Sequence, residues 1–150
     1  MSFFGTLDVS ASGLTAQRLR MDIIAENIAN VETTRTADGS PYKRKVVLFQ
    51  ERGDSSVFAQ YFNRVMGAND IQNNRGVRVT KITDDTRPGN QVYDPSHPDA
   101  DENGYVTKPN VNIVEEMVNM ISASRSYEAN VTAFNTTKSM IAKTLEMSAR

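Results

Sequence analysis

Cysteine is absent from the 150-residue sequence, which removes disulfides, thiolate metal sites and thiol nucleophiles together. Histidine occurs once, as His97 near Pro95 and Pro98, so any metal centre or Ser/His pair would rest on a single imidazole. It reads as structural. The longest apolar runs, such as Val46-Val47-Leu48-Phe49, fall far short of the roughly 20 residues a membrane-spanning helix needs, so direct membrane insertion is not expected. Neither sign of charge dominates: 17 lysines and arginines face 18 aspartates and glutamates, for a net charge of -1. That balance provides no overall field for a polyanion and argues against a nucleic-acid partner. The start, Met1 to Asp8, lacks a basic n-region and a sustained apolar h-region and does not read as a cleaved secretory signal. Export, if it occurs, is expected by another route.

Chemistry-bearing motifs are equally sparse. The sequence holds no G-x-S-x-G, Walker or dinucleotide fingerprint. The pairs Asp84-Asp85 and Glu115-Glu116 read as ordinary adjacent carboxylates on a loop and a helix start. Asp99-Ala100-Asp101-Glu102-Asn103-Gly104 matches the first half of a calcium loop, but the twelfth position, where a bidentate glutamate belongs, is Asn110. An acidic surface turn is the favoured reading. Lys43-Arg44-Lys45 leads into an apolar strand-like stretch and reads as a solvated edge that discourages strand addition. The expectation is therefore a protein with no catalytic residues, no metal and no cofactor.

What the sequence does have is helical periodicity at both ends. Leu14, Gln17, Met21, Ile24, Ile28 and Val31 recur in alternating steps of three and four, which predicts one helix. Ser10 or Ser12 is a candidate cap for its start, and Asn30, Thr33 and Thr34 suit its end, Asn tolerating the left-handed conformation there. Ile113, Met117, Met120, Ser124, Tyr127, Val131, Phe134, Lys138, Ile141 and Leu145 keep the same alternation, and no Gly or Pro follows Pro109. A single helix of roughly 35 residues, on the order of 50 Å, is predicted there. That length is more typical of a coiled coil than of a compact globule.

Between the ends, Gly39, Pro41, Gly53, Gly76, Pro88-Gly89, Pro95 and Pro98 punctuate the chain. Tyr42 to Gln50 and Gly76 to Ile82 read as strands, with Val77, Val79 and Ile82 on one face. The stretch from Asp54 to Asn74 fits a short amphipathic helix. The predicted fold is mainly α: N- and C-terminal helices pairing as an antiparallel coiled coil, with a small β domain inserted between them. The segments are 1–34, 35–110 and 111–150. A short helix against a long one leaves part of the long stripe uncovered, and uncovered apolar stripes mark partner surfaces.

The run Ser12-Gly13-Leu14-Thr15-Ala16-Gln17-Arg18-Leu19, continued through Glu26-Asn27-Ile28-Ala29-Asn30-Val31, resembles the N-terminal signature of flagellar rod and hook axial proteins, with Asn27, Ala29 and Asn30 matching its N-x-A-N hallmark. Asp38 to Lys45 and His97 to Val106, then Pro109 to Asn112, Glu116 to Val118 and Ala123 to Asn130, resemble a proximal-rod branch of that family. The resemblance implies a structural subunit of the proximal rod whose terminal helices pair in an inner tube and whose middle region lies outside. It implies that the chain helps transmit torque from rotor to hook. Its implied partners are copies of itself, other proximal and distal rod subunits, the rod-base protein and, during secretion, the flagellar type III export apparatus. The implied location is the periplasmic rod of the basal body. Candidate interface residues are Leu14, Met21, Ile24, Asn27, Ile28 and Asn30 on the first helix. On the second they are Met117, Met120, Arg125, Tyr127, Val131, Phe134, Ile141 and Leu145. Leucine at Asn27 or Asn30 is expected to impair assembly more than folding. The rival reading, a cytoplasmic coiled-coil adaptor, would need the stripes alone and has no use for the run from His97 to Asn112.

Overall fold

The computed structural model describes residues 3–52, 65 and 76–148. Among them, six elements follow one another: α1 (Phe3–Ala29), β1 (Lys45–Glu51), β2 (Val77–Asp84), β3 (Asn90–Tyr93), β4 (Tyr105–Lys108) and α2 (Ile113–Ser148). Two long helices thus bracket a small antiparallel β region, the predicted fold class. The short helix expected over residues 54–74 lies outside the described residues, Val65 excepted.

Helix α1 starts earlier than its periodicity suggests. Ser10 and Ser12 are not caps but lie inside it, donating to the carbonyls of Thr6 (3.1 Å) and Val9 (2.7 Å). A hydroxyl that folds back onto the preceding turn satisfies itself within the helix and leaves no reason to start there. At the other end, the Asn30 backbone N–H and Nδ2 both donate to the Glu26 carbonyl, at 3.1 and 2.9 Å. Among the described residues no non-glycine has positive φ, so Asn30 ends the helix through its amide and not through the left-handed conformation.

Helix α2 runs 36 residues. Asn112 caps it, its Oδ1 accepting the N–H groups of Val114 (3.0 Å) and Glu115 (3.4 Å). Glu115 and Glu116 occupy the first turn, where negative charge opposes the positive end of the helix dipole.

The strands form two separate ribbons, β1 with β2 and β3 with β4. In the second, Asn90 opposes Lys108 and Tyr93 opposes Tyr105, whose rings meet edge to face at 5.3 Å between centroids. Val106 is its buried residue. In β2, Val77 and Val79 are half-buried while Ile82 is exposed, which corrects the single face expected for the three. Side chains alternate with a period of two, so an even-numbered residue cannot share a face with 77 and 79 in a continuous strand.

Gly89 leads into β3 where an added methyl would overlap the Lys108 carbonyl oxygen. Because that atom is backbone and cannot swing away, Gly89→Ala should cost about 1–3 kcal/mol, read as a lower midpoint in urea unfolding.

The chain divides into two compact units: Met1–Arg18 with Phe49–Thr80 and Arg125–Arg150, and Leu19–Leu48 with Lys81–Ser124. Both helices contribute to each. In the first unit Leu7, Ala11 and Phe134 line one shallow cavity and Gly13 approaches Asn130. In the second, Val31 and Glu32 share a cavity with Val111 and Ile113, and Asn27 bonds to Glu116. Within each unit, earlier residues of the first segment meet later residues of the second, so α1 and α2 pack antiparallel.

Candidate functional site: a polar seam and an outward apolar row

The residues that α1 and α2 bury are small or polar to an unexpected degree. On α1 they are Ser10, Ala16, Ile23, Ile24 and Asn27, and on α2 they are Glu116, Ala123 and Thr137. Half-buried Asn130 falls midway between Ala123 and Thr137, so the seam on α2 repeats every seven residues from Glu116 onward. Small residues let the helices approach closely: in the first unit a Cβ on Gly13 would lie only 3.1 Å from the Asn130 amide. The stripe chosen by hydrophobicity is therefore displaced by about one position from the one that is buried.

Of the fourteen candidate interface residues, Ile24 and Asn27 are buried, at 5% and 1% exposure. Leu14, Met21, Ile28, Asn30, Met120, Tyr127, Val131, Phe134 and Ile141 are half-buried. Met117, Arg125 and Leu145 are exposed. Met117 belongs to a row that periodicity alone did not isolate: Val114, Met117, Val118 and Ile121 are each more than half exposed and lie at helical spacing on one side of α2. Met140, Leu145 and Met147 are exposed farther along the same helix.

Asn27 and Glu116 hold the densest polar cluster. The Asn27 amide is saturated: Nδ2 donates to the Lys45 carbonyl (2.9 Å) and Glu116 Oε2 (3.1 Å), while Oδ1 accepts from the Lys45 N–H and the Tyr42 hydroxyl, both at 2.9 Å. Glu116 is fully buried. Its Oε1 accepts a fork from Arg44, through Nε at 2.9 Å and Nη2 at 2.6 Å. Burial, with the charges of Glu26, Asp84 and Glu116, pushes the Tyr42 phenol up to about 12, so it remains a hydrogen-bond donor at neutral pH. Arg44 also lies 3.5 Å from Asp85, and Lys45 pairs with Glu26.

The basic run is thus not a solvated edge. Only Lys43 is exposed, because Arg44 and Lys45 point to carboxylates on the two helices. Glu116, read from sequence as one of a commonplace acidic pair, is the most completely buried polar residue among the described residues. The signal that would have found it is the seven-residue step to Ala123.

Asp85 carries a second ionic feature. Hydrogen bonds from the Arg87 side chain and backbone, then the nearby charges of Arg87 and Arg44, lower its carboxyl to about 2. Its folded value lies below its unfolded one, so its contribution to stability is present above about pH 4 and is lost as the pH falls towards 2. Arg87→Ala should raise the Asp85 midpoint, as followed by carboxyl NMR titration.

In the former calcium-loop candidate, Asp101 Oδ1 accepts the N–H groups of Asn103 (3.0 Å) and Tyr105 (2.8 Å), and Gly104 turns the chain at φ +81°. Asp99 instead accepts from the Thr34 hydroxyl at 2.8 Å. These carboxylates organise a turn.

Long paired helices that bury a small, polar seam and turn large apolar side chains outward are the construction of a structural assembly protein, whose neighbours cover what one chain leaves bare. Comparison with known proteins narrows the class. The family described as flagella basal body rod protein matches residues 7–35, and the family described as flagellar basal body rod FlgEFG protein C-terminal matches residues 102–147. The flagellar basal-body rod protein FlgC of Bacillus subtilis is 50% identical, over 98% of this chain and 99% of its own. Its namesake in Borreliella burgdorferi is 49% identical over 97% of each, and that of Salmonella typhimurium 40% identical over 98% of each. The chain belongs to the FlgC family of flagellar basal-body rod proteins, structural subunits of the rod. Similarity along nearly the whole length, middle region included, disfavours the adaptor reading.

Proposed function

We propose that the chain is a proximal-rod subunit that is built into the periplasmic rod through its two helices and helps carry torque from rotor to hook. Segments 1–34 and 111–150 form its share of an inner tube, and 35–110 lies outside, against neighbouring rod subunits. Its partners are copies of itself, other proximal and distal rod proteins and the rod-base protein. It reaches them through the flagellar type III export apparatus, and it performs no catalysis.

The observation that carries this reading is the outward row Val114, Met117, Val118 and Ile121. Covering a large apolar side chain contributes about 1.5–3 kcal/mol, so a row of four is a strong incentive to associate. Exposed Leu145 and Arg125, with half-buried Leu14, Met21, Ile28, Asn30, Met120, Tyr127, Val131, Phe134 and Ile141, extend the proposed interface. Ile24 and Asn27 are enclosed and serve it by holding the helix from which the others project.

The absence of cysteine gives a direct test. Val118→Cys treated with a short bifunctional thiol-amine reagent should cross-link to a neighbouring rod protein in purified basal bodies, and the cysteine-free parent chain serves as the comparison. No cross-link from position 118 in intact rods would count against the row as an interface.

A further inference from the structure

We infer that Glu116, gripped by Asn27 and Arg44, sets the register in which α1 and α2 pair, and thereby fixes where along the helix pair the outward row of α2 stands. This rests on the reading of the outward row as an assembly surface.

Shape alone specifies the pairing poorly. A seam that repeats every seven residues fits almost as well after a slide of one heptad, because equivalent faces come back into contact. One slide would bring Ala123 opposite Asn27, and a methyl group fits wherever a carboxylate did. The opposite slide would bring Glu116 opposite Arg20, so simple charge pairing would accept it as well. What separates the observed register from both is the three-way fit of one carboxylate. Oε2 takes the Asn27 amide and Oε1 takes the Arg44 fork, with Arg44 on the segment that leads into β1. A slide in either direction takes the carboxylate away from both.

Energetics point the same way. A buried ion pair contributes little net stability relative to an apolar pair of similar volume, whereas removing one partner is strongly destabilising. Its best-attested use is to exclude wrong registers. Glu116 with no exposed surface, in a seam whose other buried residues are uncharged, fits that use. The outward row begins two residues before Glu116 and would be displaced along the helix pair if the register slipped.

The test is a disulfide reporter in the full-length chain. Seven residues back along α1 and seven forward along α2 from the Asn27–Glu116 contact lie Arg20 and Ala123, so Arg20→Cys with Ala123→Cys should close readily on mild oxidation. Adding Arg44→Met with Glu116→Met should retain the helical circular dichroism yet lower the ratio of closed to open chains about tenfold, the consequence of a 1.4 kcal/mol loss in register preference. Glu116→Gln covers the case in which the double change fails to fold. It keeps an acceptor for Asn27 but loses the charge that Arg44 grips, and should also lower the closed fraction. An unchanged closed fraction in a folded variant of either kind overturns the inference. The bridge is read in purified chains, so this result and the cross-linking of Val118→Cys in basal bodies can fail separately.

Discussion

Met117→Glu or Ile121→Glu should abolish motility while shifting the melting temperature of the purified chain by no more than about 2–4 °C, since both side chains are more than half exposed and a surface change away from special contacts costs little. In an assembled rod the same change would place a carboxylate in an apolar contact. Burying an unpaired charge costs several kcal/mol, enough to offset a large part of the apolar gain of the row. The measurement pairs soft-agar swimming with a thermal melt. Swimming at the parental rate would show that the row is not covered in the rod. A melt lowered by far more would instead place these residues in the fold of the single chain.

Asn27→Leu should act in the reverse order. Four hydrogen bonds vanish at once, leaving the Tyr42 hydroxyl, both backbone groups of Lys45 and one Glu116 oxygen without their partner around a buried side chain. At about 1–3 kcal/mol for each orphaned group, partly relieved by relaxation, the expected loss is about 3–5 kcal/mol, a large share of the stability of a small domain. Urea unfolding measures it directly. From sequence alone, leucine at this position was expected to harm assembly more than folding; 1% exposure reverses that expectation, and any defect in rods would follow from the fold. Asn30 differs, because its half-buried amide closes the last turn of α1 through the Glu26 carbonyl and no other element depends on it in the same way.

The helices were legible in the sequence because a 3.6-residue period survives without any knowledge of partners, and α2 falls within a few residues of its expected ends. Which face would be buried was not. Large apolar residues define a stripe by hydrophobicity, but here Ala16, Ala123 and Thr137 occupy the seam, and residues of that size carry little hydrophobic signal. Met117 and Leu145, named from the sequence as candidate interface residues, lie on the hydrophobic stripe and are exposed in the single chain.

Arg44 and Glu116 were hidden for a different reason. Each sits beside a like-charged neighbour, and a charged pair suggests solvent unless a distant partner is known; theirs are 72 positions apart. The β3–β4 ribbon was missed because its strands are four residues each and mostly exposed, so neither shows the alternation that marks a half-buried strand. Ile82 misled for the opposite reason, being apolar on the wrong parity. Asn27 was marked through resemblance to the N-x-A-N signature; its saturated amide provides the physical reason for that residue type, since no other side chain of its size offers two donors and an acceptor together.

The most direct test of the chain as a rod subunit is electron microscopy of basal bodies purified from cells that lack it, beside cells in which it has been restored. Rods that stop short near the inner membrane without it and are rebuilt with it are the expected result. Complete rods in its absence would contradict a structural place in the proximal rod.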